Sequence, residues 1–153
     1  MTMAAILKHK GSEVFAACPT DTIADVSRIL ASRRIGAVVV IDAEGRLAGI
    51  VSERDIAYAF AGDGELALRK TAADLMTREL KTATLQTTTD EAMAIMTAGR
   101  FRHLPVLDRG ALVGMVSIGD VVKSKIMQHE IAVQTLSAYV SGAGYSAGSA
   151  HAA

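Results

Sequence analysis

The sequence predicts an α+β fold built from two similar halves. Three observations predict it: an internal repeat, a change from helical to strand period inside each copy, and a shared Ser-x-x-Asp at two strand-to-helix junctions. Residues 22–55 align with 88–120 once Ala43 is skipped. The identities are Thr22/Thr88, Ile29/Ile95, Arg34/Arg100, Val40/Val106, Asp42/Asp108, Gly45/Gly110, Leu47/Leu112, Gly49/Gly114, Val51/Val116, Ser52/Ser117 and Asp55/Asp120. Self-similarity at this spacing marks a tandem duplication, and each copy is one supersecondary unit.

Each element has its reason. "DTIADVSRILASRR" sets Ile23, Val26, Ile29 and Leu30 on one helical face, with Asp21 or Thr22 as the cap. "IGAVVVID" and "RLAGIVS" are β-branched runs joined by "AEG", a short hairpin with glycine at its turn. Helix resumes at Ser52, with Ile56 and Phe60 on one face. The second copy repeats this as "TDEAMAIMTAGR", "FRHLPVLD", the turn "RG" and "ALVGMVS". A short extended stretch precedes each copy, "EVFAACP" and "LKTATLQT". The expected organisation is copy one over 14–62, a connector over 63–80, copy two over 81–128, a helical extension over 129–140 and a disordered tail over 141–153. The connector reads as a loop at Gly62–Gly64 and a helix around Thr71–Met76. A unit of about 60 residues is marginal alone, so the two copies are expected to pack through their sheets.

Composition narrows the function. Of 153 residues 50% are hydrophobic and 21% charged, enough for a core, and 16 acidic residues balance 16 basic ones. That balance argues against a broadly basic nucleic-acid surface. The longest apolar run, Ile35–Ile41, is too short for a membrane span. "MTMAAILKHK" places its lysines after the apolar patch, the reverse of a signal peptide. A single cysteine, Cys18, excludes an intrachain disulfide and is expected to be a buried, inert thiol. A cytoplasmic protein with no membrane or nucleic-acid partner is expected.

Ser52-x-x-Asp55 and Ser117-x-x-Asp120 admit two readings. A serine N-cap with an acidic residue three positions on approximates a capping box and needs no ligand. Helix N-termini also favour phosphate, and a carboxylate one turn on can accept from both hydroxyls of a ribose. Gly119 in the first turn of the second helix suits close approach of a ligand to the backbone. Basic residues gather at the strand starts: Arg33 and Arg34 in copy one, Arg100, Arg102 and His103 in copy two, with Arg54 inside the first motif. Cations beside such a helix start point to a phosphorylated ligand; singly, each is an ordinary surface charge, His103 included.

Two tandem copies of helix–hairpin–helix ending "GIVSERD" and "GMVSIGD", with "RFRHLPVLD" in the second, resemble a CBS-domain pair, or Bateman module, of the small stand-alone bacterial signalling type. The resemblance spans about Val14–Ile126. It implies two clefts between the copies that take adenosine-containing ligands: AMP, ADP, ATP, S-adenosylmethionine or NAD(H). Carried over by position, it implies ligand contacts from Ser117, Ile118, Gly119 and Asp120 in one cleft and from Ser52, Arg54 and Asp55 in the other. Ile35, Gly36 and Ala37, and Arg102, His103, Leu104 and Pro105, would flank the adenine and phosphate, with Thr20, Asp21 and Thr84 closing over the base. Glu53 would repel phosphate, so the Ser117 cleft is expected to be the stronger. The resemblance also implies a homodimer, without a catalytic cofactor, that signals to another protein. An enzyme is the rival class, but no nucleophile–base pair, metal-ligand spacing or phosphate loop is visible. A ligand-free dimerisation module is the third reading.

Overall fold

The computed structural model describes residues 1–145, with side chains to residue 142. In chain order the elements are α1 (Met3–Lys10), β1 (Ala16–Ala17), α2 (Ile23–Arg33), β2 (Ala37–Ile41), β3 (Leu47–Ser52), α3 (Glu53–Asp63), a 3₁₀ segment (Gly64–Arg69), α4 (Ala72–Leu75), β4 (Ala83–Thr84), α5 (Thr89–Gly99), β5 (His103–Asp108), β6 (Ala111–Ser117) and α6 (Ile118–Tyr145). The fold is α+β with two three-stranded sheets, ordered β1-β2-β3 and β4-β5-β6. In each sheet the short first strand runs parallel to the second, and the second and third form an antiparallel hairpin.

The hairpins turn as their residues dictate. Asp108 pairs with Ala111 across Arg109 and Gly110, whose φ values of 50° and 82° are both positive. That is the twist a two-residue hairpin needs. In the first copy the Asp42 carboxylate closes a longer turn by accepting from the Glu44 and Arg46 N–H groups and from Arg46 Nε.

Each half has a core between its sheet and its helices. Ile23, Val26, Leu30, Val38, Val40 and Val51 pack in the first; Ala92, Met96, Leu104, Val106, Val116 and Val121 pack in the second. The two sheets meet through Ala37, Val39 and Ile50, against which Leu112 and Met115 of the second copy pack.

The cores are completed crosswise. Met3, Ile6 and Leu7 of α1, ahead of copy one, are buried in the core of copy two. Ala72 and Met76, ahead of copy two, are buried in the core of copy one. The docking is equivalent: Thr2 bridges to Thr88, and Thr71 bridges to Thr22. Each helix also presses on a hairpin glycine. A Cβ on Gly114 would lie 2.6 Å from Leu7 Cδ2, and one on Gly49 would lie 2.7 Å from Met76 Sδ. The unit of repetition therefore starts earlier than the sequence alignment, with a short helix that belongs spatially to the other copy.

Three expectations are corrected. α3 runs through Gly62 to Asp63 and a 3₁₀ segment follows, so Gly62–Gly64 is not a loop. Cys18 is exposed rather than buried, because it follows a two-residue edge strand. α6 continues past Val140 to Tyr145, and the rest of the tail expected to be disordered, residues 146–153, lies outside the described residues. No helix among the described residues is long and apolar enough to cross a membrane.

Candidate functional site

Both Ser-x-x-Asp motifs form capping boxes. Ser52 is the N-cap of α3: its Oγ accepts from the Asp55 N–H at 3.3 Å, and Asp55 Oδ2 accepts from the Ser52 N–H at 2.8 Å and the Ser52 hydroxyl at 2.9 Å. Ser117 and Asp120 repeat this at 3.2, 2.8 and 2.9 Å. Only Oδ2 of each aspartate is used; Oδ1 of each has no partner among the described residues. The cap and an unspent acceptor thus coexist in one side chain.

Two cavities open at these junctions, and both are composite. The first, of about 300 Å³, joins Ser52, Glu53, Arg54 and Asp55 of copy one to Arg100, Phe101, Arg102 and His103 of copy two, with Thr77, Glu79, Leu80 and Lys81 from the connector. The second, of about 370 Å³, joins Ser117 and Asp120 to Arg34, Ile35, Gly36 and Ala37 of copy one, with Lys10, Glu13, Val14 and Phe15 from the lead-in segment. Both volumes reach the lower range of small-molecule sites. Each aspartate faces the strand start of the opposite copy. The Arg100 and Arg102 guanidiniums accordingly stand in the Ser52 cleft, while His103 lines both clefts.

Local structure explains why arginines stand at these mouths. α2 and α5 each end in a left-handed residue, Arg34 at φ 53° and Arg100 at φ 54°. Glycine is the usual residue there, and any other side chain costs about 1–2 kcal/mol. Both copies carry arginine instead, and each arginine lines a cavity. Arg54 Nη1 also donates to the Arg100 carbonyl at 2.9 Å, tying α3 to the other half across the cleft.

The clefts differ at one equivalent position. Lys10, the last residue of α1, reaches into the Ser117 cleft, where its Nζ donates to Asp120 Oδ2 at 2.8 Å and to the Met115 carbonyl at 2.9 Å. Burial pushes the Asp120 carboxyl up, but the hydrogen bonds from Lys10 and Ser117 outweigh it and hold the group below its ordinary range. In the Ser52 cleft the corresponding position holds Glu79, and Asp55 has no ammonium partner among the described residues.

His103 is the wall shared by both cavities, as is Gly36. A Cβ on Gly36 would sit 2.9 Å from His103 Cε1, so the glycine makes room for the ring. Burial lowers the His103 pKa from 6.5; Glu53 and Asp120 oppose the shift, while Arg102 and Lys10 add to it. The folded chain therefore takes up this proton less readily than the unfolded one, and stability is full above the unfolded value and falls as pH drops below it. The depressed carboxylates Asp42, Asp74, Asp90, Glu91 and Asp120 have ordinary values of 3.8 to 4.5 and act at lower pH. Urea unfolding between about pH 7 and 5 is expected to show stability declining with acid, and His103→Gln to flatten that decline. Equal slopes in the two proteins would remove His103 as the cause.

Of the other residues singled out in the sequence, Thr20, Asp21 and Thr84 line neither cavity. Asp21 Oδ2 accepts from the Cys18 N–H, and the Thr84 N–H donates to Thr87 Oγ1. Leu104 and Pro105 are buried, and Ile118 packs against the second core. Gly119 is exposed and an added Cβ there would meet only Ser117 Oγ at 3.6 Å, so the protein's own atoms do not require glycine. Sequence reasoning missed Lys10, Thr77, Glu79 and Lys81. Aligning Thr2-x-Ala4 with Thr71-x-Ala73 extends the repeat to the two segments that carry them.

A duplicated hairpin–helix unit with a composite cleft at each Ser-x-x-Asp junction defines a tandem two-copy module. The family model for the CBS domain matches residues 11–62 and 72–126, and the chain belongs to that family as a small CBS-pair protein. The CBS-domain protein ATU1752 from Agrobacterium tumefaciens is similar in structure, with a TM-score of 0.79 and 42% identity over 81% of this chain and 92% of that one. The CBS domain protein PAE2072 from Pyrobaculum aerophilum, complexed with AMP, superposes with a TM-score of 0.74 at 27% identity over 87% of this chain and 99% of that one. The CBS domain pair of MJ0100, in complex with 5′-methylthioadenosine and S-adenosyl-L-methionine, gives 0.72 at 26% identity over 85% and 98%.

Proposed function

We propose that the chain is a non-enzymatic sensor that binds an adenine nucleotide, AMP, ADP or ATP, in its inter-copy clefts. Occupancy shifts the arrangement of the two halves or the assembly of the chain as a homodimer, and so reports to a further protein. The observation that carries this reading is the composite cleft: a free carboxylate oxygen at a helix start faces cations from the other half. Adenosine is common to the ligands of the two complexed structures, which supports the class of ligand.

The Ser52 cleft is the stronger candidate for the phosphate, reversing the expectation from Glu53. Arg54, Arg100, Arg102 and Lys81 line it, against Glu53, Asp55 and Glu79, while His103 is common to both clefts. In the Ser117 cleft, Lys10 and Arg34 stand against Glu13 and Asp120, and Lys10 is already bound to Asp120. A second reading, NAD(H), is favoured by one observation. His103 and Gly36 line both cavities, so a dinucleotide has a continuous wall along which to lay its two halves.

A thermal-shift panel of AMP, ADP, ATP, NAD, NADH and S-adenosylmethionine tests the proposal. A ligand at 100 times its Kd adds about 2.7 kcal/mol to stability, a clear rise in Tm. A rise with a mononucleotide supports the first reading and a rise confined to NAD or NADH the second. No response to any of them leaves the two capping boxes as helix caps in a ligand-free module.

A further inference from the structure

α6 is 28 residues long, about 42 Å at 1.5 Å per residue, and outruns the module it caps. Its first turns pack inward through Val121 and Ser124, 0% and 5% exposed. From residue 129 to 142 every residue is exposed. On the outward face Val122, Ile126, His129, Val133, Leu136 and Val140 recur at alternating spacings of four and three. The apolar members are 42%, 54%, 62%, 64% and 70% exposed in that order. Ile131 lies off this stripe.

An amphipathic helix lying on its own core follows a 3.6-residue period with a broad apolar face, whereas a strict seven-residue repeat describes a narrow seam that supercoils around another helix. Ile126, Val133 and Val140 fall at a positions; Val122, His129 and Leu136 fall at d positions. β-branched residues at a with leucine at d, here met at d by Leu136 alone, favour a parallel two-stranded coil, and a polar residue in the seam fixes register at a cost in stability. The flanking charges agree. Lys125 at g and Glu130 at e are five apart, the separation that brings g of one strand against e of a parallel partner. Lys125 also pairs with Asp90 of its own chain at 2.7 Å, while Glu130 has no ion-pair partner among the described residues.

We propose that the outward seam of α6, from Val122 to Val140, is the docking surface for α6 of a second copy of this chain, in a parallel, in-register coiled coil with His129 in its interior. The inference deepens the homodimer part of the reading above and is independent of nucleotide binding.

The test uses the full chain. Sedimentation equilibrium is expected to show a dimer whose Kd rises at least tenfold in Leu136→Asp and falls in His129→Leu, with Gln134→Glu on the far face unchanged. Leu136 is 64% exposed in the monomer, so its replacement leaves the fold intact. Val140→Cys in a Cys18→Ser background is expected to form an intermolecular disulfide under mild oxidation, since parallel, in-register pairing brings position 140 against itself. A chain monomeric at every concentration overturns both the coil and the homodimer. A dimer unmoved by Leu136→Asp, or one that gives no disulfide at position 140, overturns the coil and leaves assembly through another face.

Discussion

Asp55→Asn is expected to weaken AMP binding at least tenfold while leaving the fold nearly as stable. Asp55 Oδ2 is held by the Ser52 N–H and hydroxyl, and Oδ1 is the atom left to face a ribose. Asparagine keeps one carbonyl oxygen for the cap but loses the second oxygen and the charge. A hydrogen bond to a charged group contributes about 1.5–3 kcal/mol, and each 1.4 kcal/mol is tenfold in affinity. Alanine would confound the result, because losing a cap residue costs about 0.5–2 kcal/mol of stability by itself. Titration calorimetry at a temperature where both proteins are folded reads the affinity directly. An unchanged Kd would show that the carboxylate serves only its helix.

Leu7→Ala is expected to destabilise the chain by about 2–5 kcal/mol, the range for emptying a leucine site in a packed core. Leu7 is 6% exposed and lies in one cluster with Leu104, Val106 and Val116, residues distant in sequence. Its methyl groups fill the space over Gly114, which has no side chain to close the gap. Urea unfolding measures the loss as a fall in midpoint at constant slope. A loss below about 1 kcal/mol would mean that α1 merely lies on the surface.

What the sequence revealed and what it hid follow from the range of the interactions. The hairpins and helix caps were legible because they depend on neighbours: Asp108–Ala111 closes on itself, and Ser52 reaches only Asp55. The membership of each cleft was not legible. Nearness in sequence groups each aspartate with the cations of its own copy, yet the pairing of halves sets Asp55 opposite Arg100 and Asp120 opposite Arg34. Lys10 escaped notice for the same reason, since its partner Asp120 lies at the far end of the second copy. The eight residues of α1 carry a brief apolar patch whose burial is decided wholly by the second copy. Gly62 read as a break because glycine weakens a helix by about 1 kcal/mol, but α3 packs against the following 3₁₀ segment and runs on.

The crosswise placement of α1 and α4 bears on how such a chain can be divided. A single copy severed from its twin exposes an apolar slot above its hairpin glycine and carries a helix with nowhere of its own to dock. The slot and the helix match only between two copies, so the smallest self-sufficient piece is a pair, whether joined by peptide bond or brought together by diffusion.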